Sequence, residues 1–177
     1  DILAGGGNAV DAAIAINAVL GVVLPDTCGP GGDLFALVHI PGEGSPRTLN
    51  SSGRAGSGFT ASDIRDLGHG TIPLRSPWSV TVPGCVDGWI ALSAELGGLS
   101  LAQCLQPAID IAREGFTVST ELGTSLSEIR PLIAAQSAAA PFYVDGAPAP
   151  AGSNIVRAHF ADTLESIGSS GRDGFYR

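Results

Sequence analysis

Residues 5–33 read GGGNAVDAAIAINAVLGVVLPDTCGPGGD, and the arrangement of the rest of the chain depends on this stretch. Three glycines break the chain ahead of Asn8, and Asn8 stands three residues before Asp11. An asparagine side chain satisfies the free N–H groups of a helix start, and an acid in the first turn suits the positive end of the dipole. The spacing predicts a helix over residues 8–24, ended by Pro25. Val10, Ile14, Ile16, Val19, Leu20, Val22 and Val23 fall on every face of it, so the helix is expected to be buried all round. A glycine-rich turn follows at 29–32. The run LFALVHI (34–40) then reads as a core strand.

Working outward, PGEGSP (41–46) is a turn by composition and joins that strand to a second one at 47–50, which predicts a hairpin. SSGRAGSG (51–58) is a polar, glycine-rich loop. Residues 61–67 predict a short helix capped by Thr60 or Ser62, and residues 76–83 a brief strand with Val80 and Val82 facing one way. A helix over 85–96 ends at Gly97 and Gly98. Ser100 caps the next, 101–114, in which Leu105, Ala108, Ile109 and Ala112 recur at helical spacing. Ser119 starts a further helix that runs to Pro131. PFYVDGAPAPAGS (141–153) reads as a connector, and a last helix covers about 156–167.

Charged residues make up only 15% of the 177-residue chain, which carries 25 glycines and a net charge of −8. Its mean hydropathy is positive, at +0.28. This composition describes one compact domain able to bury a core. The acidic balance argues against a nucleic-acid surface, because no Lys/Arg cluster is available to neutralise phosphates. No lysine occurs, and the nine basic residues are scattered arginines. The first helix is too short, and too interrupted by Asp11 and Asn17, to span a bilayer.

The usual chemical motifs are missing. Cys28, Cys85 and Cys104 are odd in number and widely spaced, which excludes a complete disulfide framework and a CxxC metal site. Cys28 has no histidine beside it. His39, His69 and His159 belong to different elements, without HxxxH or HExxH, so no metal site is expected. His39 falls on the predicted core strand and reads as partly buried. The glycines at 29–32 follow a helix and precede a strand, the reverse of a dinucleotide fingerprint. Asp26 and Asp33 flank this turn and read as caps rather than as a catalytic pair. No GxSxG elbow is present.

Several segments together carry a resemblance. GGNAVDAAIA followed by PDTCGPGGDLFALV resembles the N-terminal signature of the gamma-glutamyltranspeptidase family. SVTVPGCVDGW, LAQCLQPAIDIAREGFTVS, and FYVDGAPAPAGSNIVRAHFADTLESI followed by GFYR resemble later family segments in the same order. The resemblance implies an α+β chain that is part of an αββα four-layer N-terminal-nucleophile hydrolase sandwich, incomplete in this chain. Residues 1–177 would be a single partial domain, the front of a large subunit in the transpeptidase-like or acylase-like branch. It also implies a self-processing amidohydrolase or acyltransferase acting on gamma-glutamyl or related acyl amides such as glutathione, and it implies no cofactor. The nucleophilic threonine is then expected downstream of Arg177, with the small subunit of the same precursor as partner, and these 177 residues alone are expected to be inactive. The competing reading is a non-catalytic scaffold or small-molecule-binding module of the same fold.

Arg54 is the side chain that stands out. It lies alone among small residues, and a planar fork of donors suits a carboxylate. In the family, an arginine within "LDFRE-x-AP" binds the substrate's alpha-carboxylate. This chain has LNSSGRAG there, so with Leu49 in register the arginine position falls on Ser52 and Arg54 comes two residues later. Residues two apart in an extended segment share a face. Ser52 and Arg54 are therefore the candidate substrate-binding residues, and an exposed loop arginine without a ligand is the other reading of Arg54.

Overall fold

A computed structural model describes all 177 residues. Helix α1 (Ala9–Val23) leads to the hairpin β1 (Leu34–Val38) and β2 (Arg47–Ser51), then to α2 (Ala61–Asp66) and α3 (Cys85–Leu96). There follow α4 (Leu101–Glu114), β3 (Phe116–Thr117), α5 (Thr120–Ile133), β4 (Tyr143–Val144), β5 (Ala147–Pro148), β6 (Asn154–Ile155), α6 (Ala158–Ser170) and α7 (Asp173–Tyr176). The chain is thus mixed helix and strand. It divides into two compact units, one made of Asp1–Gly29 with Trp89–Arg177 and the other of Pro30–Gly88.

The first unit is helical. Helix α4 packs against α1 and against α6. Ile14, Ala18 and Val22 of α1, Leu105, Ala108 and Ala112 of α4, and Ala161, Leu164 and Ile167 of α6 are all buried. These positions recur three and four apart, which places each set on one stripe of its helix. The expectation for α1 is corrected accordingly: one face is buried, while Ile16 on the other is 60% exposed. Its alanine-rich composition hid which stripe faces inward. Trp89 is buried and donates its ring N–H to Asn17 Oδ1 at 2.9 Å. Helix α5 runs past Pro131 to Ile133, although a proline there removes the hydrogen bond to the Ser127 carbonyl. The expected connector contains a hairpin, β4–β5, turning through Asp145 (φ 51°) and Gly146 (φ 74°). Two left-handed residues in succession suit a two-residue hairpin turn, and an Asp-Gly pair is a preferred sequence for one.

In the second unit the hairpin is antiparallel, with Leu34 opposite Ser51 and Val38 opposite Arg47. The strand stops at Val38, and its faces differ: Phe35 and Leu37 are 66% and 75% exposed. The expected core strand is therefore a half-buried one, and His39 lies beyond it, exposed. Residues 76–83 are not a strand. They hold a short 3-10 turn at Pro77–Ser79 and one bridge, Ala55 with Thr81. Pro77 opens the turn with its fixed φ, and neither it nor Pro83 can donate to a ladder.

Candidate functional site

The loop after β2 places both candidate residues on the surface. Burial alternates along it, with Ser51 and Gly53 half-buried and Ser52 and Arg54 exposed. That alternation is the mark of an extended segment whose residues two apart share a side. The Arg54 guanidinium has no ion pair or hydrogen bond within the chain, and the Ser52 hydroxyl has none either. Both remain available to a ligand.

The backbone around them is held on several sides. The Ser52 amide donates to Asn50 Oδ1 at 3.0 Å, and the Gly53 amide donates to Asp33 Oδ1 at 3.0 Å. The Arg54 carbonyl accepts from the Val82 amide at 2.9 Å. A Cβ on Gly53 would lie 1.5 Å from the Val82 carbonyl oxygen, so only glycine fits at that position. One residue earlier, Ser51 Oγ donates to the Gly84 carbonyl at 2.8 Å. The Gly84 and Cys85 amides both donate to the Gly32 carbonyl at 2.9 Å. The glycine turn, the loop and the segment before α3 thus form one hydrogen-bonded knot around a free guanidinium. A backbone tied in this way fixes where the Arg54 side chain leaves the loop, and its planar donor fork suits a carboxylate.

The sequence singles out Ser52 and Arg54 as candidates but gives no sign of the groups that hold the loop around them. In the sequence Asp33 reads only as a cap of the glycine turn. The hairpin register Leu34–Ser51 was the available signal, since it sets Asp33 beside the start of the loop.

The helical unit holds its own buried polar groups, and these serve structure. Asp11 is fully buried. It accepts the Asn8 amide at 2.7 Å and the Gly98 amide at 3.0 Å, with Leu99 at 3.3 Å and the Cys104 thiol at 3.7 Å. Burial alone would raise its pKa, but these donors together hold it below the ordinary carboxylate value. Burial first, and the neighbouring Asp11 charge second, push the Cys104 thiol up to about 11, so it is no nucleophile at neutral pH. Arg157 donates through Nη1 to the Gly21 and Val22 carbonyls at 2.8 and 3.0 Å. Helix α1 has no basic residue in its last turn, and this distant guanidinium caps it instead. Its charge also lies over the rings of Phe160 at 4.0 Å and Phe142 at 5.1 Å. Burial lowers its pKa to about 10, which leaves it charged at neutral pH.

No group of three or more His, Cys, Asp or Glu side chains comes together in a way that could hold a metal ion. No helix is long and apolar enough to cross a membrane.

The gamma-glutamyltranspeptidase family profile matches residues 1–177. A glutathione hydrolase-like proenzyme of Bacillus subtilis (strain 168) is 41% identical over 179 residues, covering 99% of this chain and 33% of its own length. Among solved structures, the gamma-glutamyltranspeptidase of Helicobacter pylori superposes with a TM-score of 0.90 at 30% identity, covering 99% of this chain and 52% of that one. The cephalosporin acylase of Bacillus halodurans gives 0.89 at 35% identity, covering 100% of this chain and 34% of that one. The chain spans about a third of the length of the curated relatives it matches. Matched from its first residue to its last, it belongs to the gamma-glutamyltranspeptidase family.

Proposed function

We propose that the complete protein is a self-processing N-terminal-nucleophile amidohydrolase or acyltransferase acting on gamma-glutamyl or related acyl amides such as glutathione. In this reading it adopts the four-layer αββα sandwich, and these 177 residues contribute one wall of the substrate pocket. The nucleophile is a threonine outside them, activated by its own amino group after the precursor cuts itself. Backbone N–H donors stabilise the oxyanion, and water or an amine takes the acyl group. Family membership supports the reaction class, and so does the word proenzyme in the relative's name.

The role of this chain rests on one observation. The Arg54 guanidinium stands exposed and unpaired on a loop whose backbone is tied by Asp33 and Val82. Arg54 receives the acyl group's carboxylate through two parallel N–H···O bonds, and Ser52, on the same side of this extended loop, offers its hydroxyl beside it.

The test is kinetic, on the complete protein. With a chromogenic gamma-glutamyl anilide, Arg54→Ala should lower kcat/KM by about 30-fold or more, the scale of a lost charge-paired contact. Arg54→Lys should also be impaired, because charge is kept while the bidentate geometry is lost. With 4-aminobutyryl anilide, which lacks the carboxylate, the Arg54→Ala effect should disappear. Unchanged kcat/KM of Arg54→Ala on the gamma-glutamyl substrate would remove Arg54 from the site.

A further inference from the structure

We infer that Asp33 is a positioning residue, and that through the Gly53 amide it sets where the Arg54 guanidinium meets a substrate carboxylate. This inference rests on the reading of Arg54 just given. The antiparallel ladder of β1 and β2 closes with Leu34 opposite Ser51. One step further along, the same register sets Asp33 beside Ser52, where regular pairing has ended. The Asp33 side chain takes over there, its Oδ1 accepting the Gly53 amide at 3.0 Å. Gly53 is the residue immediately before Arg54.

On the other side of Arg54 its carbonyl accepts from Val82 at 2.9 Å. The residue is therefore held by one side-chain acceptor before it and one backbone donor after it. Gly53 is pressed against the Val82 carbonyl so closely that no side chain fits between them. The Val82 contacts come from backbone and persist whatever the side chain. The Asp33 contact comes from a side chain, and a substitution there releases it while leaving the Val82 contacts in place.

The carboxylate also avoids the competing role. Asp33 forms no ion pair with Arg54, so it does not occupy the donor fork that the substrate needs. It acts on the backbone one residue away. The consequence is selective: loosening Asp33 should harm substrates that carry the carboxylate and spare those that do not. A residue that merely supported the fold would affect both.

The experiment uses the complete protein and the ratio of kcat/KM for gamma-glutamyl anilide to kcat/KM for 4-aminobutyryl anilide. Arg54→Ala is run first and must lower this ratio. An unchanged ratio there overturns the role of Arg54, and the inference with it. Given that drop, Asp33→Ala should lower the ratio by about tenfold or more, chiefly through KM, as expected when a binding group is displaced by about 1 Å. Asp33→Asn, whose amide oxygen still accepts from Gly53, should restore most of the ratio. Asp33→Ala added to Arg54→Ala should have no further effect on it, because the two residues act as one unit. A ratio unaffected by Asp33→Ala, or equal losses on both substrates, would overturn the inference while leaving Arg54 in place. Should Asp33→Ala not be recovered folded, Asp33→Glu replaces it: the acceptor moves by one methylene, and an unchanged ratio would again overturn the proposal.

Discussion

Replacing Asp11 by alanine removes the acceptor on which four donors converge: the amides of Asn8, Gly98 and Leu99, and the Cys104 thiol. Two of these amides lie 87 and 88 residues away in sequence, so the carboxylate joins the start of α1 to the turn before α4. A hydrogen bond to a charged acceptor contributes about 1.5–3 kcal/mol, and an orphaned buried donor costs about 1–3 kcal/mol. The four donors share two oxygens and are not additive, and some will find water once the side chain is gone. The expected loss for Asp11→Ala is therefore about 3–5 kcal/mol, the scale of a broken buried polar network. Asp11→Asn keeps one acceptor but turns an NH2 group toward amides that also donate, for a loss of about 2–3 kcal/mol.

The sign with pH follows from the depressed pKa. The contribution of Asp11 is fully present above its unfolded value, near 3.8, and is lost as pH falls from there through the lower folded value. Urea melts of the complete protein from about pH 6 down to about pH 2 should show the wild type losing stability below about pH 4 and Asp11→Asn losing less. Native-state hydrogen exchange should show the Gly98 and Leu99 amides losing protection in both variants. Unchanged protection at these two amides in Asp11→Ala would refute the reasoning.

Two further outcomes are expected. Arg157→Lys should lower the urea midpoint by the equivalent of about 1–3 kcal/mol, since an ammonium cannot reproduce both carbonyl contacts and the stacking on Phe160 and Phe142; an unchanged midpoint would exclude Arg157 as the cap of α1. Alkylation of the native protein at pH 8, read by peptide mapping, should label the half-exposed Cys28 well before Cys104, whose thiol is buried and protonated; equal rates would contradict this.

Local signals in the sequence were strong. Asn8, Ser100 and Ser119 each cap the helix they were expected to cap, and Asn8 and Ser100 do so in reciprocal boxes with Asp11 and Gln103. Thr60, one of two candidates for α2, caps it with Asp63 in the same way. Caps are legible because they operate over three residues. The features that escaped notice act over long separations or in very short elements. Arg157 caps α1 from 136 residues away, and strands β3 to β6 are two residues each, too brief for any alternation to register. The Asp145–Gly146 pair was a readable hairpin signal, submerged in a proline-rich run. At the candidate site, an isolated arginine among small residues could be seen from composition alone. Its backbone clamp could not, because Asp33 and Val82 come from different parts of the chain.

The most direct test of the proposed function is the intact mass of the purified complete protein, combined with sequencing of any new N-terminus. The account predicts two polypeptides cut from one precursor, with the 177 residues described here contained in one of them and the other beginning with threonine. A single uncut chain that still hydrolyses the gamma-glutamyl anilide would contradict it.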